Sequence, residues 1–303
     1  MTWLATPAGA VLVLFILRDV FHTLWHPTRH GGLSKLVMVS LWWLSARLGA
    51  RWRSAGLAGP LGMVTVVAAW ALTVAVGWGL VYWPHMPEEF SYAVGLVPSE
   101  HAGPLDALYI SLVTLATLGL GDIAPTSGWL RVLAPMEALV GFVLLSATVA
   151  WILGIYPALA RRRALALRLS HVRRSRATAQ ALDSDGGAAL LDGLASALST
   201  ITVDFLQYAE SYYFHDGDEN TSLPRQLRYA LGLAGQATGA HHPDVRLSAS
   251  VLRRALEDLA VVLDERFLRT GGGPERIFAA YADDHGHPQG PDGPPQDGGS
   301  GRS

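Results

Sequence analysis

The sequence predicts an all-α membrane protein, in which a short re-entrant helix and a glycine-rich loop lie between two apolar helices. An additional N-terminal anchor and a C-terminal helical domain complete the predicted fold. Residues 61–83 form an uncharged apolar run, and residues 129–156 form a second, largely apolar one. A helix needs about 20 apolar residues to cross a bilayer, so both runs are long enough. Residues 105–116 are too short to cross but long enough to enter the membrane and return.

The composition excludes several classes of function. The chain of 303 residues has no cysteine, which rules out disulfides, thiol chemistry and cysteine-based zinc sites. Its formal net charge of −2 is too balanced to favour a nucleic-acid partner. The sequence contains no Ser/His/Asp set, metal-binding motif or phosphate-binding loop in a supporting context, so an enzyme is not expected.

The N-terminal residues are predicted to anchor the chain in the membrane. The first apolar run lacks a preceding basic region and a cleavage site, which favours a retained anchor over a signal peptide. Asp19, His22 and His26 fall on one helix face, a spacing that suits metal ligands or helix-packing groups, and packing is favoured. Residues 33–53 have a short apolar run with basic flanks, which favours a juxtamembrane helix and three crossings in all. A fourth crossing with a cytoplasmic N-terminus is the alternative.

The glycine-rich loop is the most informative stretch. Residues 114–122 read Thr-Leu-Ala-Thr-Leu-Gly-Leu-Gly-Asp. Two glycines one residue apart permit backbone conformations closed to other residues, so successive carbonyls can point the same way. A row of such carbonyls can replace the hydration shell of a potassium ion. A plain glycine-rich turn is the alternative, and the apolar segments on both sides argue against it.

This stretch resembles the filter signature of P-loop potassium channels, Thr-Val-Gly-Tyr-Gly-Asp, with Leu118 in place of Val and Leu120 in place of Tyr. Leucine between the glycines also occurs in the second pore of two-pore-domain potassium channels. The order span, re-entrant helix, filter, span resembles their two-transmembrane pore module over residues 60–157. The resemblance implies that backbone carbonyls bind potassium at Thr117, Leu118, Gly119 and Leu120, that Gly121 completes the filter, and that Thr114 and Asp122 support it. Leu120 lacks the hydroxyl that ties the usual filter to its pore helix, which leaves the strictness of selectivity open.

Two residues after the loop also match the family. Gly141 matches the glycine hinge on the inner helix, which implies a role in gating. Glu137 resembles a glutamate found at the equivalent place in some prokaryotic inward-rectifier-like channels. A carboxyl group in a membrane helix is costly and therefore indicates a functional role. Two places are open for it: facing the central cavity, or packed behind the filter.

The C-terminal half is predicted to be a cytoplasmic helical domain. The arginines that follow the last apolar run fix its end in the cytoplasm. A basic helix over residues 164–181 is expected to lie against anionic lipid headgroups. Three apolar-periodic segments follow, at residues 188–214, 223–237 and 244–269. His241 and His242 have no evident partners, and the chain from His285 is expected to be disordered.

Together these features predict a passive potassium-selective channel subunit in a prokaryotic plasma membrane, with a cytoplasmic C-terminus. One loop per chain implies a homotetramer, since a filter ring takes four. No arginine ladder is present, so voltage sensing is not expected. No cofactor is expected besides the permeant potassium. The alternatives are a weakly selective cation channel and a non-conducting membrane sensor that keeps the loop as a scaffold. The predicted division comprises an anchor with its juxtamembrane helix, a pore domain, a cytoplasmic domain and a disordered tail, at residues 1–58, 59–158, 159–284 and 285–303.

Overall fold

The computed structural model describes residues 4–25, 32–47, 58–176 and 178–287. The chain divides into two compact units, one of residues 1–44 with 59–155 and one of residues 45–58 with 156–303. The all-α membrane fold class is confirmed, because long apolar helices dominate the first unit. The four-part division of the chain stays a prediction.

The first unit holds the membrane helices. Its elements are α1 (Ala5–Trp25), α2 (Gly32–Arg47), α3 (Ala58–Tyr82), β1 (Phe90–Tyr92), α4 (Pro104–Leu115), β2 (Ile123–Pro125) and α5 (Gly128–Arg174), the last of which continues into the second unit. Three of these helices, α1, α3 and α5, are long and apolar enough to cross a membrane. The α4 helix has 12 residues, about 18 Å at 1.5 Å per residue, which is too short to cross.

The α1 helix packs along α3 in the opposite direction. A Cβ on Gly9 would lie 3.0 Å from Val81 N and closer still to Gly77 O. The two helices therefore touch backbone to backbone at this level. Near the start of α1, the Thr6 hydroxyl lies 3.3 Å from Nε2 of His85, which follows the end of α3. The N-terminus of α1 thus lies at the C-terminal end of α3.

Asp19 holds α2 against this helix pair. Its carboxylate is buried, with 4 % of the residue exposed, and accepts the Trp70 indole N–H of α3 at 2.9 Å. It also accepts the backbone N–H groups of Leu33 and Ser34 at 3.1 and 3.4 Å. These donors belong to the first turn of α2, where backbone N–H groups have no partner within the helix. Asp19 therefore acts as a helix-packing group, as favoured from the sequence. His26, which was predicted on the same helix face, lies outside the described residues.

The α2 helix lies beside part of α3. It has 16 residues, about 24 Å in length, and begins beside Asp19, well inside α1. One turn later Met38 meets Gly62, where an added Cβ would lie 2.5 Å from Met38 Sδ. Since Gly62 lies two turns before Trp70, α2 runs beside the first half of α3. The number of crossings, three or four, stays a prediction.

The second unit is a helical bundle. It contains the end of α5, α6 (Ala179–Leu182), α7 (Asp185–Gln207), α8 (Leu223–Ala237), α9 (Pro243–Leu263) and α10 (Pro274–Asp284). The α7 helix also has the length and hydropathy of a span. Many of its apolar residues are buried within the bundle, however, among them Leu191, Leu194 and Leu198. Core packing therefore accounts for the hydropathy of α7.

Arginines at the start of this unit are paired with carboxylates. Arg161 donates two hydrogen bonds to Asp204, at 2.8 and 2.6 Å. Arg162 is buried and donates to Asp216 at 3.0 Å and to two backbone carbonyl oxygens. Arg163 donates to the other oxygen of Asp216 at 2.7 Å. The predicted contact with anionic lipid therefore depends on the arginines further along the basic segment.

The turn before α9 also differs from the sequence expectation. Asp183 accepts the backbone N–H groups of His241 and His242, and lies 3.1 Å from Nδ1 of His241. His242 Nδ1 accepts the Asp244 N–H at the start of α9. The expectation that these histidines lack partners is wrong, because a carboxylate 58 residues earlier in the chain reaches them.

The chain remains ordered beyond residue 284. His285 is buried, with Nδ1 3.1 Å from Tyr281 O and Nε2 2.9 Å from Tyr212 O. Burial lowers the pKa of His285 to about 3, and the nearby charge of Arg162 acts in the same direction. His285, the first residue of the predicted tail, is therefore packed within the bundle. Residues 288–303 of that tail lie outside the described residues.

Lowering the pH from 7 to 5 is expected to destabilise the bundle. An unfolded histidine titrates near 6.5, whereas folded His285 titrates near 3. Between these values the unfolded state binds the additional proton. The stability present above pH 6.5 is therefore lost as the pH falls, by up to about 1.4 kcal/mol per pH unit. Amide hydrogen exchange of the bundle in the full chain, corrected for the intrinsic pH effect, measures this loss.

The matched control is His285→Gln, which keeps a side-chain donor for the Tyr212 carbonyl but does not titrate. We expect it to lose less stability than the wild type over the same pH interval. His287, whose pKa is also lowered by burial, is present in both proteins and cancels in the comparison. An equal loss in both would show that His285 is not the group responsible.

Candidate functional site

The backbone of the glycine loop, residues 116–122, alternates in handedness. The φ angles of Thr117, Gly119 and Gly121 are 57°, 54° and 76°. Among the described non-glycine residues, positive φ is found only at Thr117, Arg176 and Arg269, so Leu118 and Leu120 are not left-handed. Side chains other than glycine rarely adopt the left-handed region. This alternation is what a row of carbonyls on one side of the strand requires.

The start of the loop is fastened to the last turn of α4. The N–H groups of Leu118 and Gly119 both point to Val113 O, at 2.9 and 3.4 Å, and the Thr117 N–H donates to Thr114 O at 2.9 Å. The last carbonyls of a helix have no partner within it, and here the loop supplies their donors. Thr114, predicted as a support residue, therefore contacts the loop through its backbone.

The end of the loop is fastened twice more. Asp122 O accepts the Ala93 N–H at 2.7 Å, next to the antiparallel pairing of β1 with β2, in which Tyr92 lies opposite Ile123. The Asp122 carboxylate accepts the Tyr109 hydroxyl of α4 at 2.7 Å. The Tyr109 hydroxyl of α4 thus bonds to the loop. Leu120 of the loop has no hydroxyl with which to bond to α4. Tyr109 was not predicted as a functional residue. The sequence feature that could have identified it is a hydroxyl-bearing residue on the helix just before the loop.

A cavity of about 140 Å³ lies between α4 and the loop. Its walls are formed by Tyr109, Val113 and Thr114 on one side, and by the backbone from Gly119 to β2 on the other. Leu120 is among the lining residues, and Leu118 and Leu120 are 67 % and 63 % exposed in the single chain. Both leucines therefore leave apolar surface uncovered in the single chain.

Glu137 joins three helices. It is completely buried and accepts the Tyr82 hydroxyl of α3 and the Ser111 hydroxyl of α4, each at 2.5 Å. Of the two places left open by the sequence, the structure places Glu137 behind α4, since a fully buried carboxyl group cannot face a water-filled cavity. The sequence analysis missed both partners, which lie 55 and 26 residues earlier in the chain.

Gly141 lies one turn further along α5, against the end of α4. A Cβ at this position would lie 2.9 Å from Leu115 C, 3.3 Å from Leu115 Cα and closer still to Leu115 O. The α5 helix is continuous through Gly141. The structure therefore gives this glycine a packing contact, and the predicted hinge stays a prediction.

Comparison with known proteins places this geometry in context. Residues 70–156, which include the second half of α3, all of α4, the loop and the first part of α5, match the family described as "Ion channel". The chain is 26 % identical over 171 residues to "Uncharacterized membrane protein YdjJ" of Bacillus subtilis, across 54 % of this chain and 48 % of that protein. It is 42 % identical over 55 residues to "Two-pore potassium channel 5" of Arabidopsis thaliana, across 17 % of this chain and 14 % of that protein. The chain thus spans less than half the length of these relatives. No solved structure matches.

Proposed function

We propose that this chain, whose residues 70–156 belong to the ion channel family, is one subunit of a potassium-selective channel in a prokaryotic plasma membrane. The alternating backbone of the glycine loop carries this proposal, with positive φ at Thr117, Gly119 and Gly121. The carbonyl oxygens of Thr117, Leu118, Gly119 and Leu120 replace the water around the ion as it passes. The ion is the transported substrate, and no cofactor takes part.

Four copies of the chain form the pore. A filter ring takes four loops, and each chain supplies one. The exposed side chains of Leu118 and Leu120 support this stoichiometry, because in a single chain they leave apolar surface uncovered beside a polar loop. The α5 helix also exposes Leu139, Phe142 and Leu145, which neighbouring subunits and lipid cover in the assembly.

A firmly held loop keeps its carbonyl oxygens at fixed positions around the ion. Without a filter tyrosine, the Tyr109–Asp122 hydrogen bond fastens the outer end of the loop to α4. Glu137 in turn fixes α4 to both membrane helices that flank it. These contacts support a potassium-selective channel over a weakly selective cation channel, despite the leucine at position 120.

The orientation in the membrane follows from charge. Arginines come directly after the apolar part of α5, and such residues favour the cytoplasmic side. The C-terminal bundle is therefore cytoplasmic. Arg168, Arg173, Arg174 and Arg176 remain for contact with anionic headgroups, because no described carboxylate forms an ion pair with them.

Bi-ionic recordings of the purified, reconstituted protein test the function. With potassium on one side and sodium on the other, we expect a reversal potential displaced towards the potassium equilibrium potential, and native mass spectrometry should give a tetramer. Near-zero reversal potential with measurable current would identify a weakly selective cation channel. Absence of current from correctly assembled tetramers would favour the non-conducting sensor, and a dimer would contradict the stoichiometry.

A further inference from the structure

The α4 helix rests on α5 through two contacts, one turn apart on both helices. In the first, Glu137 of α5 accepts the hydroxyl of Ser111 on α4. In the second, Gly141 of α5 faces Leu115, the last residue of α4. Residues four apart lie on the same face of a helix. The two helices are therefore in register over this turn. The first contact is a hydrogen bond to the Glu137 carboxylate, and the second brings the backbone of Gly141 against the backbone of Leu115.

The second contact leaves no room for a side chain. The hydrogen that Gly141 carries in place of Cβ points at the carbonyl group of Leu115. Real Cβ atoms do not approach other heavy atoms closer than 3.0 Å, and a Cβ here would be closer to both the carbon and the oxygen of that carbonyl. The obstacle is backbone on the α4 side, so no change of rotamer relieves it. With any other residue at position 141, α4 or α5 has to shift.

A shift of α4 at this point acts directly on the loop. Leu115 is followed by Ala116 and Thr117, where the left-handed backbone begins. The preceding residue pair, Val113 and Thr114, accepts the backbone N–H groups that fasten the start of the loop. The end of α4 thus sets the position of the first carbonyls of the loop, and Gly141 sets the position of the end of α4.

We infer that Gly141 is a positioning residue for the filter. Because it has no side chain, the last turn of α4 packs directly on α5, and this contact between Gly141 and Leu115, here called the seat, fixes the carbonyls that follow. This inference rests on the proposed function of the loop. It differs from a hinge role, in which the flexibility of Gly141 sets how the pore opens. A hinge acts through the flexibility of a glycine, which another position in the helix can supply, whereas the seat depends on the direct approach of residue 141 to Leu115.

Gly141→Ala in the full-length tetramer tests the inference, with Gly79→Ala as the matched control. Both variants gain about 1 kcal/mol of helix propensity. At Gly79 a Cβ would lie 3.3 Å from the backbone of Leu108, also on α4, so a shift of a few tenths of an ångström is needed there, against a much larger one at Gly141. Overpacking costs about 1–3 kcal/mol, which corresponds to about 5-fold to 150-fold in an equilibrium. We expect amide hydrogen exchange at Leu118 and Gly119 to accelerate by that factor in Gly141→Ala, and to stay near wild type in Gly79→Ala.

The same variants are then compared by bi-ionic reversal potential. We expect reduced discrimination between potassium and sodium in Gly141→Ala and wild-type discrimination in Gly79→Ala. The double variant Gly141→Ala/Ser146→Gly restores a flexible residue in α5 but not the seat, so we expect it to behave as Gly141→Ala. If the variant homotetramer does not assemble, tetramers with one variant and three wild-type subunits provide the same comparison.

Wild-type exchange and selectivity in Gly141→Ala would overturn the inference, as would full rescue by Ser146→Gly, which would identify a hinge. If the wild-type protein conducts no potassium, the proposed function fails on its own. Accelerated exchange confined to Gly141→Ala would still support the seat in that case, because hydrogen exchange does not require conduction.

Discussion

Replacing Glu137 by leucine is expected to lower the free energy of unfolding of the first unit and to weaken potassium selectivity. The substitution leaves the hydroxyls of Tyr82 and Ser111 buried without their acceptor. A buried donor that loses its partner costs about 1–3 kcal/mol, so the two together make this one of the largest single-residue effects in the unit. Thermal unfolding of the purified protein and bi-ionic reversal potentials measure the two consequences.

Two further variants separate the carboxylate contact from a general packing effect. Glu137→Gln keeps one oxygen acceptor and adds an amide group that can donate a hydrogen bond to either hydroxyl oxygen. We therefore expect a smaller loss of stability and selectivity than in Glu137→Leu. Tyr82→Phe removes one of the two donors without opening a cavity. Residues that interact directly give non-additive effects, so Tyr82→Phe should cost less in the Glu137→Leu background than in the wild type. Additive losses would show that Tyr82 and Glu137 do not act together.

The sequence was sufficient for the features that depend on local pattern. Membrane helices follow from the length of an apolar run, so α1, α3 and α5 could be placed from residues 61–83, 129–156 and the N-terminal segment. The glycine spacing is also local, and it predicted a loop with unusual backbone angles, which the structure shows at Gly119 and Gly121. The short α4 helix followed from its length, and in the structure the Asp106 carboxylate in its first turn accepts the Gly103 N–H.

The contacts that hold the loop could not be predicted, because they join residues far apart in the chain. Nothing near Glu137 in sequence indicates that Tyr82 and Ser111 will meet its carboxylate. Hydrogen bonds of this kind depend on how helices pack, and a single sequence does not encode that packing in a readable pattern. The same holds for Asp19, whose partner Trp70 lies 51 residues later.

Charged residues in the second unit show a related limit. Arg161, Arg162 and Arg163 follow an apolar helix, which in sequence is the pattern of a membrane-facing cluster. The structure pairs them with Asp204 and Asp216, which come from separate segments of the bundle. A basic run therefore predicts a side of the membrane, but it does not show whether its charges are available to lipid.

Replacing Gly119 by alanine is expected to abolish potassium conduction while leaving the tetramer assembled. Gly119 has a φ angle of 54°, and a Cβ in the left-handed region costs about 1–2 kcal/mol per residue. Four subunits share one ring, so the penalties sum to about 4–8 kcal/mol, which reduces the population of the conducting backbone by about a thousandfold or more. Potassium flux into vesicles measures conduction, and size-exclusion chromatography checks assembly.

Steric crowding around the added Cβ does not cause this effect in the single chain, so the control variant is one that adds a Cβ without backbone strain. No atom lies within 4 Å of a Cβ built at Gly119, and the same is true at Gly128, at the start of α5, whose φ angle is not in the left-handed region. Gly128→Ala therefore adds the same atom without the same strain and should conduct as the wild type does. Thr117 carries a side chain at a φ angle of 57°, so one strained residue per subunit is already present, and Gly119→Ala adds a second two positions later. Wild-type flux in Gly119→Ala would show that the ion path does not depend on a left-handed backbone at this position.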